Sequence, residues 1–200
     1  PGILVIVGTP ASQSVEFWSA ANPEKGSCVL KDYPRDMAYS PNVNFVSGQL
    51  VACSEGSCDT FQGGQWKHLV DTMDPTRILS SNAVNDHRML LIGGLQADPD
   101  DPEITEWIPV DGSPAQPGPF NANANLHLHG EHCTIQTAPD RIVVTGGRRS
   151  NAEDYTYDYV AEYQLTGDFT ETPLTPMLNS RFGHACGVYQ GVGGQQVGSC

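Results

Sequence analysis

A chain of 200 residues with a formal net charge of −13 and 16% charged side chains presents an acidic surface, which argues against a nucleic-acid partner, because binding one needs a cationic face. The same charge would be repelled by an anionic membrane. The chain has 21 Gly and 15 Pro and no apolar run long enough to span a bilayer. Such a composition fits many short strands joined by turns.

In chain order, Pro1-Gly2 leads directly into an apolar run at 3–7, with neither Met nor a leader segment, as expected of a processed product or a fragment. Strand-like runs follow at 14–19 and 27–32, and Tyr33-Pro34 then leads to Arg35. A second set lies at 44–46, 49–53, 58–61 and 66–70, with Gly63-Gly64 as a tight hairpin connection. The third runs 77–84, 89–94 and 104–110, with a turn at 85–88, and is followed by a turn-rich insertion at 111–124 without apolar periodicity. The fourth reads 132–136, 141–147, 159–165 and 169–174, and a fifth begins at 181–189.

One pattern recurs through these sets. A basic or histidine residue opens each unit, at Arg35, Arg77, His129 and Arg181, spaced 42, 52 and 52 residues apart. A small-residue pair ends an apolar strand, at Gly8-Thr9, Cys53-Ser54, Gly93-Gly94 and Gly146-Gly147, and an aromatic follows on the next strand, at Phe17, Phe61, Trp107 and Tyr163. A period of this length with strand chemistry inside it is the mark of β-propeller blades. The second strand of each blade is nearly all apolar, as expected if neighbouring blades cover both its faces. The glycines that end it permit positive φ and close backbone approach. The third strand is expected to alternate, with Glu or Thr outward and the aromatic inward.

Six cysteines are present. Cys53 ends one strand and Cys58 begins the next across a short turn, so the two face each other at a hairpin mouth and are expected to form a disulfide. Cys28, Cys133, Cys186 and Cys200 remain, and sequence alone cannot pair them. This cysteine usage favours an extracellular or secretory-lumen location.

The Gly-Gly pairs after apolar strands, the later aromatics and the opener Arg181-Phe182-Gly183-His184-Ala185-Cys186 resemble kelch repeats. More closely, a Cys at the end of the second strand and another at the start of the third, as at Cys53 and Cys58, resemble cysteine-containing kelch-like proteins of marine invertebrates. The resemblance implies an all-β fold, a kelch-type β-propeller of about four blades of four-stranded antiparallel sheets. The blades would fall at roughly 1–34, 35–75, 76–127 and 128–178, with the start of a fifth at 179–200. Gly8-Thr9 and Cys53-Ser54 depart from the Gly-Gly pattern. Propellers of that family usually have six or seven blades, so a partial propeller or fragment is expected. Its open faces would be completed by a second chain or by self-association.

Candidate chemistry is sparse. His127, His129 and His132 lie beside Cys133, and three imidazoles with a thiolate could ligate zinc or copper. Their spacing fits no standard site, and His132 falls in register with His184, so the cluster reads as repeat positions plus a loop and no cofactor is expected. Asp98, Asp100, Asp101 and Glu103 form an acidic stretch without the order of a calcium loop. Glu153, Asp154 and Asp158 fill the corresponding loop of the next blade, so the two loops would form one acidic recognition surface. Arg148-Arg149 is the sole basic pair, and no nucleophile elbow, phosphate loop or dinucleotide fingerprint occurs. The resulting expectation is a propeller that binds a protein or glycan through loops on one face, a structural interaction module rather than an enzyme. The alternatives are a sugar-active or copper-dependent oxidase on the same scaffold, and an intracellular kelch adaptor.

Overall fold

The computed structural model describes residues 2–6, 13–19, 21–35, 41–75, 77, 79–94, 105–120, 130–148, 156–167, 169–191 and 194–199, with the backbone alone described for 2–6, 188–191 and 194–199. Two-residue turns set the local register. Ser47-Gly48, Glu55-Gly56 and Gly63-Gly64 all take positive φ at both positions, the geometry whose twist matches that of the flanking strands. Their hairpins join β4 (Asn42–Val46), β5 (Gln49–Ser54), β6 (Ser57–Gln62) and β7 (Gln65–Asp71) into a four-stranded antiparallel sheet.

Three more sheets repeat the plan and a fourth begins it. Ahead of this blade, β1 (Gly2–Ile6), β2 (Val15–Ser19) and β3 (Ser27–Val29) form a three-stranded sheet. After it come β8 (Ser81–Asn85), β9 (Arg88–Ile92), β10 (Thr105–Pro109) and β11 (Gln116–Pro117), then β12 (Cys133–Ala138), β13 (Arg141–Thr145), β14 (Val160–Gln164) and β15 (Glu171–Pro173). A two-stranded sheet of β16 (Cys186–Gly191) and β17 (Gly194–Ser199) follows. All pairings are antiparallel between sequential strands, so each sheet is a meander and the described architecture is all-β and propeller-like.

The core lies between sheets. Leu90 and Ile92 of β9 pack with Trp107 against Ile142, Val144, Ala161 and Tyr163 of the following blade. Met89 and Leu91, the alternate residues of the same strand, pack with Ile108 against Val46, Val51, Cys53 and Cys58 of the preceding one. A strand buried on both faces has no polar side to alternate with, which is why 89–92 is continuously apolar. Trp107 pairs with Leu90 and Tyr163 with Ile142. The two aromatics therefore enter one interface from opposite blades instead of occupying equivalent inward positions.

The first strands line up side by side and are tied by polar side chains. Asn42 donates to Ser80 at 2.7 Å and Asn44 to Asn82 at 2.9 Å. The Gln136 amide accepts from Val84 N and donates to Val84 O, so it docks on the neighbouring strand as a short backbone would. Cys53 and Cys58 are directly paired across β5 and β6 and joined by a disulfide, with Cα atoms 4.0 Å apart. A second disulfide, Cys133–Cys186, links the first residues of β12 and β16 with Cα atoms 6.0 Å apart. It spans 53 residues against 5 for the first, and the longer loop carries the larger entropic stabilisation.

Three details differ from the sequence expectation. Arg77 does not begin a strand; β8 starts at Ser81, and the Arg77 side chain instead enters the blade. Glu106 does not face outward but is fully buried, its carboxylate 3.0 Å from Arg77 Nε and accepting Met73 N at 2.7 Å. Arg77 Nη1 also donates to Gly93 O at 2.6 Å. The insertion at 111–124 supplies the short fourth strand β11, paired with Glu106 and Trp107.

Because both partners of the Arg77–Glu106 pair are buried, Glu106→Gln leaves a guanidinium without a counter-charge. It is expected to cost about 3–5 kcal/mol in urea unfolding, with much of that recovered by also replacing Arg77 with Met. At Gly146 (φ +63) an added Cβ would lie 2.4 Å from Arg181 O. Gly146→Ala should therefore cost more than about 2 kcal/mol. At Gly63, where φ is +58 and nothing lies within 4 Å, the same change should cost about 1 kcal/mol.

Candidate functional site

The acidic loops expected to form the recognition surface fall mostly outside the described residues: Asp98, Asp100, Asp101, Glu103, Glu153 and Asp154 are not among them, nor are His127 and His129. Asp158 is described and exposed, its carbonyl accepting Met177 N at 2.8 Å. His132 is buried, with Nε2 2.6 Å from Ser81 Oγ. Its neighbour Cys133 is consumed in the bond to Cys186 and offers no thiolate. Among the described residues no three His, Cys, Asp or Glu side chains gather as a metal site requires.

Arg148, one of the basic pair, is held between Glu131 Oε1, at 2.5 Å, and the Phe182 ring, 4.8 Å below the guanidinium carbon. Close by, His184 Nε2 lies 2.8 Å from Thr145 Oγ1. Burial and then the Arg181 charge lower the His184 pKa below the ordinary 6.5. The folded state thus binds a proton here less readily than the unfolded chain. The associated stability is complete above pH 6.5 and is lost as pH falls through the folded value. His184→Gln should remove this dependence, so the gap between wild-type and variant urea midpoints narrows between pH 7.5 and 5 and does not widen.

The best-formed cavity lies elsewhere, between the second and third blades on the side of the β4–β5 and β8–β9 turns, with a volume of about 550 Å³. That size suits a small-molecule ligand. The two-residue turn Asp86-His87 projects both side chains at its rim. His87 Nδ1 is 2.5 Å from Ser47 Oγ of the preceding blade's turn, and Val110 N donates to His87 O at 3.2 Å. The opposite wall is the 111–113 turn, where Asp111 Oδ1 accepts Ser113 N at 2.9 Å and Ser113 Oγ at 2.5 Å. These two bonds favour the charged carboxylate and hold the Asp111 pKa below the usual aspartate range. At the floor, Arg88 lies 4.3 Å over the Trp107 ring. The arrangement sets an ionised carboxylate opposite an imidazole, with apolar wall supplied by Pro109 and Val110.

Sequence reasoning placed none of these residues in a site. Residues 85–88 read as a hairpin turn and Asp111 as part of an insertion. The available signal was that turns after first and third strands of adjacent blades share one side of a propeller. It could have been used only once the two-residue strand β11 was known to return the chain there.

No family model and no curated protein matches the chain. Its fold is similar to that of a solved structure, YjhT, with a TM-score of 0.69, over 94% of this chain and 68% of that one, at 14% identity. The likeness at this identity is one of fold. It corrects the assignment to kelch repeats, and more narrowly to cysteine-containing kelch-like proteins, for which neither a family match nor this comparison gives support. The expectation of a protein-binding module rather than an enzyme rested on that assignment and is withdrawn with it. What stands is an all-β, propeller-like fold shared with YjhT.

Proposed function

We propose that the chain belongs to a sugar-active propeller enzyme that works by acid–base chemistry on a glycan. The observation that carries this reading is the groove between the second and third blades, which brings Asp111, His87 and Asp86 to one concave surface of about 550 Å³. The fold shared with YjhT supports it as a scaffold argument. A carboxylate kept ionised by Ser113 suits a general base or an acceptor of sugar hydroxyls, and an imidazole exchanges protons near neutral pH. Carboxyl and imidazole groups on opposite walls can serve the two proton transfers of glycoside cleavage.

We place this chemistry in an extracellular or secretory-lumen compartment, a reading supported by the two disulfides. No described helix is long and apolar enough to cross a membrane.

The test is a reducing-end assay on neutral oligosaccharides and aryl glycosides. Turnover by the wild-type chain is expected, with Asp111→Asn and His87→Gln each lowering kcat/KM by about a hundredfold or more while melting normally. A wild-type chain silent on the whole panel, or variants that turn over at the wild-type rate, would overturn the reading.

A further inference from the structure

A second hollow adjoins the groove. It has a volume of about 460 Å³ and is lined by Asn44, Phe45, Val84, Asp86, Gln136 and Pro139, among others, from the first strands of three successive blades. Asp86 lines both depressions, so the two are continuous at that residue.

The character of the second hollow is unlike that of the first. Its amides are already engaged, Asn44 with Asn82 and Gln136 with the Val84 backbone. What it presents is hydrocarbon, above all Phe45, which is 56% exposed while the next residue, Val46, is fully buried. An exposed phenyl on a strand whose other side chains are polar or buried adds nothing to the core. Beside a groove of carboxylate and imidazole it offers a flat surface for the C–H face of a pyranose ring.

The geometry points to a two-subsite cleft for an oligosaccharide. One sugar unit lies over Phe45, the next lies between His87 and Asp111, and Asp86 stands at the junction. The inference rests on the sugar-active reading and adds ligand length and charge to it. The carboxylates of Asp86 and Asp111, on a chain of net charge −13, select neutral or amino-sugar units over uronic or sulfated ones.

Calorimetric titration with mono- to hexasaccharides in the gluco, galacto, manno and N-acetylglucosamine series, with a sulfated glycan alongside, tests it. Affinity is expected to rise from the monosaccharide to the disaccharide. Phe45→Ala should lower affinity for the longer members by about tenfold, leave monosaccharide binding unchanged, and be rescued by Phe45→Tyr. Its exposure makes the variant a fair one, and a thermal melt confirms the fold. Affinity independent of chain length, an unaffected Phe45→Ala variant, or preference for the sulfated glycan would overturn the two-subsite cleft while leaving sugar activity standing. Failure to bind any member would overturn both.

Discussion

The middle strands of the blades are buried on both faces, and the rest of the molecule follows from that constraint. β9 sends Leu90 and Ile92 one way and Met89 and Leu91 the other, so no blade can satisfy its own hydrophobic surface. Stacking is obligatory, and stacking in turn brings turns from adjacent blades together. Ser47 reaches His87, and the 111–113 turn closes against 86–87, because the sheets behind them must touch. The candidate site is thus a by-product of core packing at a blade interface.

Polar groups fix how the stacked sheets are joined. Arg77 reaches from the connecting segment to Gly93 O and to the buried Glu106, which anchors that segment against the third strand. Arg35 does the same one blade earlier, with Nε 2.7 Å from Asp59 Oδ2. A charge pair enclosed by apolar sheets adds little over a hydrophobic replacement, but a mismatch is costly, so such pairs can enforce one register. Between first strands the ties are neutral amides and hydroxyls, satisfied across the gap. At the last described interface, the Cys133–Cys186 bond does this covalently.

The likeness to YjhT at 14% identity shows how loosely this architecture constrains sequence. Apolar four-residue runs, small residues where backbones meet and tight turns suffice to specify the blades, and unrelated side chains can supply them. The same degeneracy made the repeats resemble one family closely while giving no support for its function. The scaffold residues carry the resemblance, and the groove residues sit in turns that the repeat pattern does not constrain.

The sequence by itself determined the strands of the second and fourth blades, because apolar continuity and Gly-containing turns are local signals. It also determined that Cys53 and Cys58 face each other, since a two-residue turn leaves no other register. Gly146-Gly147 was legible as a place of close backbone approach, and Arg181 O provides that contact. Only the tertiary structure decided the rest. Glu106 is buried because Arg77 comes from a distant turn to meet it, Cys133 bonds Cys186 because two blades bring them together, and Asp86, His87 and Asp111 share a cavity because adjacent blades stack. Each of these depends on pairing residues far apart in sequence, and periodicity along the chain carries no record of what lies across a blade interface.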